Sequence, residues 1–211
     1  MRLRKIKDAR EKLEEYRDIV LKDSFAQRGN WHKHFRNENP IHFEIGTGKG
    51  KFILESALKN PGINYVGLEV SESVTLRAAR KIRSENPKNL CLLNADARTL
   101  GEIFGKGEVS KIYLNFSDPW PKNRHEKRRL TSEYFLKLYR EILSDSGEIE
   151  LKTDNRGFFE YSLISLNNHH FRFLEVSLDL HRDEERQIIT TEYEEKFINL
   201  GQNIYYLKVV K

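Results

Sequence analysis

The amino-acid sequence predicts an α/β protein with a mostly parallel, doubly wound sheet and helices on both faces. Three observations carry this. From Ile41 onward, short apolar runs alternate with segments of helical period, as repeated strand–helix units do. Helix entry and exit signals punctuate those segments: Ser71 and Thr131 precede helical stretches, and Pro87 follows one. A glycine-rich turn, Gly46-Thr47-Gly48-Lys49-Gly50, falls where the first strand gives way to the first helix.

In chain order, residues 7–22 place Ala9, Leu13, Tyr16, Ile19 and Val20 on one face beneath a charged outer face, which predicts an amphipathic helix. Residues 23–40, with Gly29, Asn30 and Pro40, read as a linker. The chain thus divides into a basic N-terminal helix and linker, 1–39, and a main domain, 40–211. In that domain a strand over 41–45 precedes a helix over 49–59, and a strand over 64–68 precedes a helix over 72–85. A strand over 89–94 is followed by a short helix near 99–104, and a strand over 111–116 by a helix over 132–143. A strand over 148–152 leads to a helix over 157–167. Strands over 171–177 and 203–209 close the chain, and the last, with no helix after it, is free to enter the sheet antiparallel.

Composition narrows the function classes. At 211 residues, the chain suits one domain with a sizeable core. Charged residues make up 33% of it and mean hydropathy is −0.70, so its surface is very polar. The net charge of +5 is unevenly placed: residues 1–36 carry +5, residues 119–130 carry +4, and the remainder is negative. Concentrated positive charge is the footprint of a polyanion partner. The single cysteine, Cys91, sits in an apolar run and reads as a core thiol, which excludes a disulfide framework. No apolar stretch follows the charges of Met1-Arg2-Leu3-Arg4-Lys5, and no run reaches the ~18 apolar residues of a membrane span. The expected compartment is the cytosol. His32 and His34, and His169 and His170, lack a third ligand at plausible spacing, so no metal site is expected.

The chemistry gathers at strand ends. Glu44 stands two residues before Gly46, and the glycines follow G-x-G-x-G. Dinucleotide-binding turns use G-x-G-x-x-G to seat a pyrophosphate, which a carboxylate beside the loop would repel. An acid there suits a ligand with a cationic amino group and a sulfonium, approached by the backbone at Gly46 and Gly48. Glu69 closes the second strand, where an acid accepts from both ribose hydroxyls. Asp96 follows the third strand, placed to meet an adenine, and Asp118 follows the fourth. One acid at a strand end is commonly a helix cap; acids after four successive strands describe one crevice.

The segment Asn115-Phe116-Ser117-Asp118-Pro119-Trp120-Pro121-Lys122-Asn123-Arg124-His125-Glu126-Lys127-Arg128-Arg129-Leu130-Thr131 resembles the signature of the bacterial tRNA (guanine-N7)-methyltransferases of the TrmB type. So do Lys152-Thr153-Asp154-Asn155 and Thr191-Glu192-Tyr193-Glu194-Glu195-Lys196-Phe197. The resemblance covers roughly 40–206. It implies a seven-strand class I methyltransferase sheet with S-adenosylmethionine across its carboxyl edge. It carries cofactor roles onto Glu44, Glu69, Asp96 and Asp118, and the catalytic role onto Asp118. It carries target contacts onto Lys122, Asp154, Thr191, Glu192, Tyr193 and Glu194, and RNA contacts onto Arg124, His125, Glu126, Lys127, Arg128 and Arg129. The partner it implies is tRNA, methylated at a variable-loop guanine, and the family is compatible with a monomer or a homodimer.

Guanine N7 is an acceptor with a free lone pair, so attack there needs no general base. Asp118 is expected nearer the guanine than the sulfonium, because only stabilisation that grows along the reaction lowers the barrier. Asp154 and Glu194 suit the N1–H and N2–H₂ donors of guanine; the rival reading makes Asp154 a turn or N-cap residue before the next helix, and Thr191 the cap of a helix. Trp120 either stacks on a splayed base or wedges its loop against the core.

Overall fold

The computed structural model describes residues 5–182 and 188–211. Residues 1–4 of the basic N-terminal stretch lie outside the described residues. The chain runs through α1 (Ala9–Leu13), β1 (Val20–Leu21), α2 (Trp31–Phe35), β2 (Ile41–Ile45), α3 (Lys51–Lys59), β3 (Asn64–Leu68), α4 (Glu72–Glu85) and β4 (Leu90–Leu93). It continues with α5 (Leu100–Ile103), β5 (Val109–Asn115), α6 (Glu133–Ile142), β6 (Leu143–Thr153), α7 (Arg156–Asn168), β7 (Arg172–Ser177), α8 (Glu192–Ile198) and β8 (Tyr205–Val210).

The strands form one sheet in the order β1-β4-β3-β2-β5-β6-β8-β7. Neighbouring strands are parallel from β1 through β6, and β8 pairs antiparallel with both β6 and β7. The chain reaches β8 from β7 through α8, and β8 enters between β6 and β7. β3 and β4 are buried along their whole length, as central parallel strands covered on both faces are. On one face Phe43, Val66, Ile112, Leu114, Ile149 and Leu151 pack with residues of α5, α6 and α7. On the other, Tyr65, Leu90 and Leu92 pack with residues of α1, α3 and α4.

The N-terminal segment departs from the expected helix and linker. The helix stops at Leu13, and one 3-10 turn later the chain extends, so that Val20 and Leu21 add a strand beside Leu92 and Leu93. This is why the sheet has eight strands rather than the seven expected. Ile19 and Val20 are β-branched and gain more by completing the sheet edge than by extending a helix. Within 23–40, Trp31 is fully buried in the main core, and its indole Nε1–H donates to Ile103 O at 3.1 Å. Glu108 accepts from the backbone N–H groups of Gly29 and Trp31 and so ties this stretch to the start of β5. Among the described residues, no helix is long and apolar enough to cross a membrane.

Candidate active site at the switch point of the sheet

Strand order reverses between β2 and β5: from β2 the chain proceeds outward through β3 and β4, then returns to β5 on the other side. Ligands of open α/β sheets bind in the crevice at such a point, outside the carboxyl ends of the strands. Here that crevice is a cavity of about 1000 Å³, lined by residues that include Gly46, Glu69, Asp96, Asn115, Asp118 and Trp120.

The floor of the crevice is built by β2 and β5. Glu44, on β2, is 2% exposed and accepts at Oε1 from the Asn115 amide at 2.8 Å. Its Oε2 has no hydrogen-bond partner, and neither do the buried Asn115 Oδ1, Thr47 Oγ1 and Ser117 Oγ. Burial pushes the Glu44 carboxyl up to about 8, against the pull of the Asn115 hydrogen bond. A native interior rarely leaves buried polar atoms unpaired, and these four, at the ends of the adjacent strands β2 and β5, suit a ligand that brings its own donors.

The glycine turn closes over that floor. Gly46, Gly48 and Gly50 all have positive φ, between 56° and 85°, a conformation that costs a side-chain-bearing residue and that glycine adopts freely. Gly48 N–H donates to Glu69 Oε2 at 3.2 Å, while Ser71 N–H donates to Glu69 Oε1 at 2.9 Å. Glu69 thus fixes the loop and the start of α4 together, and burial raises its pKa. Asp96 caps the turn after β4: its Oδ1 accepts from Arg98 N–H at 2.9 Å, and its carboxylate receives the Arg98 guanidinium at 2.7 and 3.0 Å. That pairing lowers its pKa. Asp96 thus caps this turn and at the same time lines the cavity.

Asp118 is exposed in the crevice wall, just past β5. Phe116 and Trp120, two residues to either side, have φ of 53° and 41°. Non-glycine residues in that region store strain, which concentrates at functional sites. Asp154 follows β6 and is half-buried. It is not the cap of α7: Asn155 is, accepting from Phe158 N–H at 2.8 Å. Tyr193 leans on Phe116, with ring centroids 5.1 Å apart, and burial together with the nearby charges of Asp154 and Asp118 raises its pKa.

Thr191 and Glu194 make a complete capping box at the start of α8. Glu194 is 0% exposed and fully engaged: Lys152 Nζ lies at 3.1 and 3.3 Å, His181 Nε2 at 2.8 Å and Thr191 N–H at 3.2 Å. Glu192 pairs with Lys81 on α4. The structure therefore brings Glu44, Gly46, Gly48, Glu69, Asp96, Asp118, Asp154 and Tyr193 to one edge, while the Glu194 carboxylate faces the scaffold beneath it.

In the basic loop, Lys122, Arg124, Glu126, Lys127 and Arg128 are exposed and His125 is half-buried. Arg129 points inward: it is 9% exposed, donates to Trp120 O at 3.1 and 3.2 Å, and lies 4.3 Å from the Tyr161 ring centroid. Trp120 is sandwiched by its own loop, with the Arg128 guanidinium 4.8 Å from its ring centroid and the His125 ring edge-on at 5.6 Å. Sequence reasoning did not single out Asn115, Arg98, Lys51, Lys152 or His181. The available signal was a polar residue in the buried end of an apolar strand for Asn115 and Lys152, and a cation in a helix's first turn for Lys51.

These residues fit S-adenosylmethionine. An ammonium would supply the donors that Glu44 Oε2 and Asn115 Oδ1 lack, and Glu69, in the wall of the cavity, would accept from ribose hydroxyls.

Residues 38–207 match the family described as "Putative methyltransferase". The chain is 52% identical over 209 residues to a tRNA (guanine-N(7)-)-methyltransferase of Bacillus velezensis, covering 99% of this chain and 96% of that one. It is 50% identical to the Bacillus subtilis protein of the same name, covering 99% and 98%. Among solved structures, it is similar to a 16S rRNA methyltransferase, KamB, at a TM-score of 0.65 and 14% identity, covering 86% of this chain and 92% of that one. A SAM-dependent methyltransferase from Archaeoglobus fulgidus matches at a TM-score of 0.56 and 14% identity, covering 86% and 98%. At such identities the structural likeness shows the class I methyltransferase fold.

Proposed function

We propose that this chain, which belongs to the tRNA (guanine-N(7)-)-methyltransferase family, transfers a methyl group from S-adenosylmethionine to N7 of a variable-loop guanine in tRNA. The observation that carries this is the set of unpaired buried acceptors, Glu44 Oε2 and Asn115 Oδ1, at the switch point of a methyltransferase sheet, beside exposed Asp118 and a basic loop.

S-adenosylmethionine supplies a methyl group on an activated sulfonium. Glu44 and Asn115 hold its amino-acid end, Glu69 its ribose and Asp96 its adenine, with Gly46 and Gly48 leaving room for close backbone approach. N7 attacks through a free lone pair, so the protein removes no proton from it. What remains is alignment, and alignment alone can supply ~7–11 kcal/mol.

Asp118 stands nearer the guanine than the donor and gains as positive charge builds on the purine; equal contact with both would cancel. Asp154 accepts from the guanine N–H edge. An arginine there would instead address O6 and N7 and block the reacting atom. Thr191, Glu192, Tyr193 and Glu194 form the wall that presents the base, with Tyr193 beside Asp118 and Asp154 and Glu194 acting from below through the capping box. Lys122, Arg124, Lys127 and Arg128 meet phosphates, with His125 and Glu126 in the same loop, while Arg129 shapes that loop. The enzyme acts in the cytoplasm, where tRNA is modified, as a monomer or a homodimer.

The test is methyl transfer from labelled S-adenosylmethionine to an unmodified tRNA transcript, followed by nucleoside mass spectrometry. The expected product is 7-methylguanosine, lost when the variable-loop guanine is replaced. Label in a different nucleoside would overturn the assigned atom.

A further inference from the structure

α3 has no acidic residue in its first turn and opens instead on Lys51, the residue after Gly50. Helix N-termini carry partial positive charge and favour acids, so a lysine there works against the helix it begins. Its side chain does not escape to solvent: it is only 21% exposed. The Lys51 ammonium donates to Thr190 O at 3.2 Å and Thr190 Oγ1 at 3.1 Å, and pairs with Glu195 and Glu55 at 3.0 Å each.

The neighbouring carbonyl is held in the same way from β6. Lys152, at the end of β6, donates to Ile189 O at 2.9 Å and reaches Glu194 at 3.1 Å. Lys81 of α4 holds Glu192. Two consecutive backbone carbonyls, Ile189 and Thr190, are thus gripped by ammonium groups from two different elements, α3 and β6. They immediately precede Thr191, where the target-contacting segment begins. An anchored carbonyl pair fixes both the height and the rotation of the chain that follows it.

We propose that Lys51 is a positioning residue of the methyl transfer. It fastens the target-reading segment Thr191–Glu194 to the first turn of the cofactor helix, so that the base read by one faces the methyl group held by the other. The proposal rests on the function assigned above. Lys51 touches neither substrate; it acts through Thr190 and Glu195. Lys152 shares the task but also neutralises buried Glu194, so its removal confounds positioning with folding. Lys51 sits at the rim, and its removal leaves no carboxylate fully buried and unpaired.

The test compares wild type, Lys51→Met and Lys51→Arg in three measurements: S-adenosylmethionine affinity by calorimetry, kcat and KM for a tRNA transcript, and amide hydrogen exchange across residues 189–198. For Lys51→Met, kcat/KM for tRNA is expected to fall on the order of ten- to a hundredfold, the range a displacement of about 1 Å produces. Cofactor affinity should stay within about twofold of wild type. Exchange should rise in 189–198 alone, and Lys51→Arg should restore most of the rate. An unchanged kcat/KM, or a loss matched by an equal loss of cofactor affinity, overturns the proposal; the latter would make Lys51 part of the glycine loop. If the wild type itself forms no 7-methylguanosine, the assigned reaction fails. Hydrogen exchange still decides the anchoring in that case, because unchanged protection of 189–198 in Lys51→Met refutes it whatever the substrate is.

Discussion

The carboxyl edge of the sheet has two halves that use their acids in opposite ways. On the β2–β5 floor, Glu44 is buried with one oxygen unpaired, and Asn115 Oδ1, Thr47 Oγ1 and Ser117 Oγ also lack partners. Around α8, Glu194 is equally buried, yet every direction around it is filled by Lys152, His181 and Thr191. The first half holds buried acceptors without partners; the second is filled scaffold, with Tyr193 near the charges of Asp118 and Asp154. Two buried glutamates therefore have different roles, and residue type alone does not separate them. Only the inventory of hydrogen-bond partners does.

The contrast breaks most visibly at Glu194. Glu194→Gln leaves the Lys152 ammonium, whose pKa burial already lowers, without its counter-charge. Breaking a buried pair from one side costs about 3–5 kcal/mol. Denaturant unfolding should show a loss of that size; a loss below about 1 kcal/mol would mean that Glu194 is not the scaffold acid described here.

Next in size is Asp118, exposed and free of any such structural debt. Asp118→Asn should leave the unfolding midpoint near that of wild type and lower kcat by about 10²–10³ at saturating cofactor, the range for removing one electrostatic stabiliser of a transition state. A near-normal kcat would remove Asp118 from the chemistry.

Glu44→Gln sharpens the comparison from the other side. Loss of a charge-assisted hydrogen bond of about 1.5–3 kcal/mol should weaken S-adenosylmethionine binding tenfold or more. Stability should behave differently from Glu194→Gln. The folded pKa of Glu44, about 8, lies above its ordinary value of 4.5. Its contribution to stability is therefore fully present below about 4.5 and is lost as pH rises towards about 8. That decline should be absent from Glu44→Gln. A cationic ligand selects the ionised carboxylate, so cofactor affinity in wild type should rise with pH up to about 8 with release of a proton, detectable by calorimetry in buffers of different ionisation enthalpy. A pH-independent affinity would contradict the assignment of Glu44 to the ammonium.

How much of this was legible in the sequence follows from how local each signal is. The alternation from Ile41 onward gave the sheet and its helices to within a few residues, and α4 matched residue for residue, because Ser71 and Pro87 bracket it and Asn86 ends it in the left-handed conformation at φ 48°. The acids after β3, β4 and β5 were legible for the same reason: strand ends are marked by pattern. The N-terminal segment was not, because Ile19, Val20 and Trp31 are buried by partners about seventy residues away in sequence, Leu92 and Ile103. Helical spacing over 7–22 places Ala9 and Leu13 correctly on α1 but carries the helix on through Ile19 and Val20, which belong at the sheet edge. The Lys152–Glu194 and Lys51–Thr190 contacts, 42 and 139 residues apart in sequence, likewise leave no periodic trace.

The smallest effect tests the same lesson within one loop. Residues 119–130 carry a net +4 in the sequence, but the structure divides their cations. Arg124 and Lys127 are exposed and available to phosphates, whereas Arg129 is spent on Trp120 O and the Tyr161 ring. Each phosphate contact releases counterions, so Arg124→Ala or Lys127→Ala should flatten the dependence of log K on log salt for tRNA binding by about 0.7–0.9. Arg129→Ala should leave that slope unchanged and instead lower the unfolding midpoint, because two hydrogen bonds to a half-buried carbonyl and the packing on Tyr161 are lost. Equal slopes for all three variants would mean that charge counted along the sequence is, in this loop, the same as charge presented to RNA.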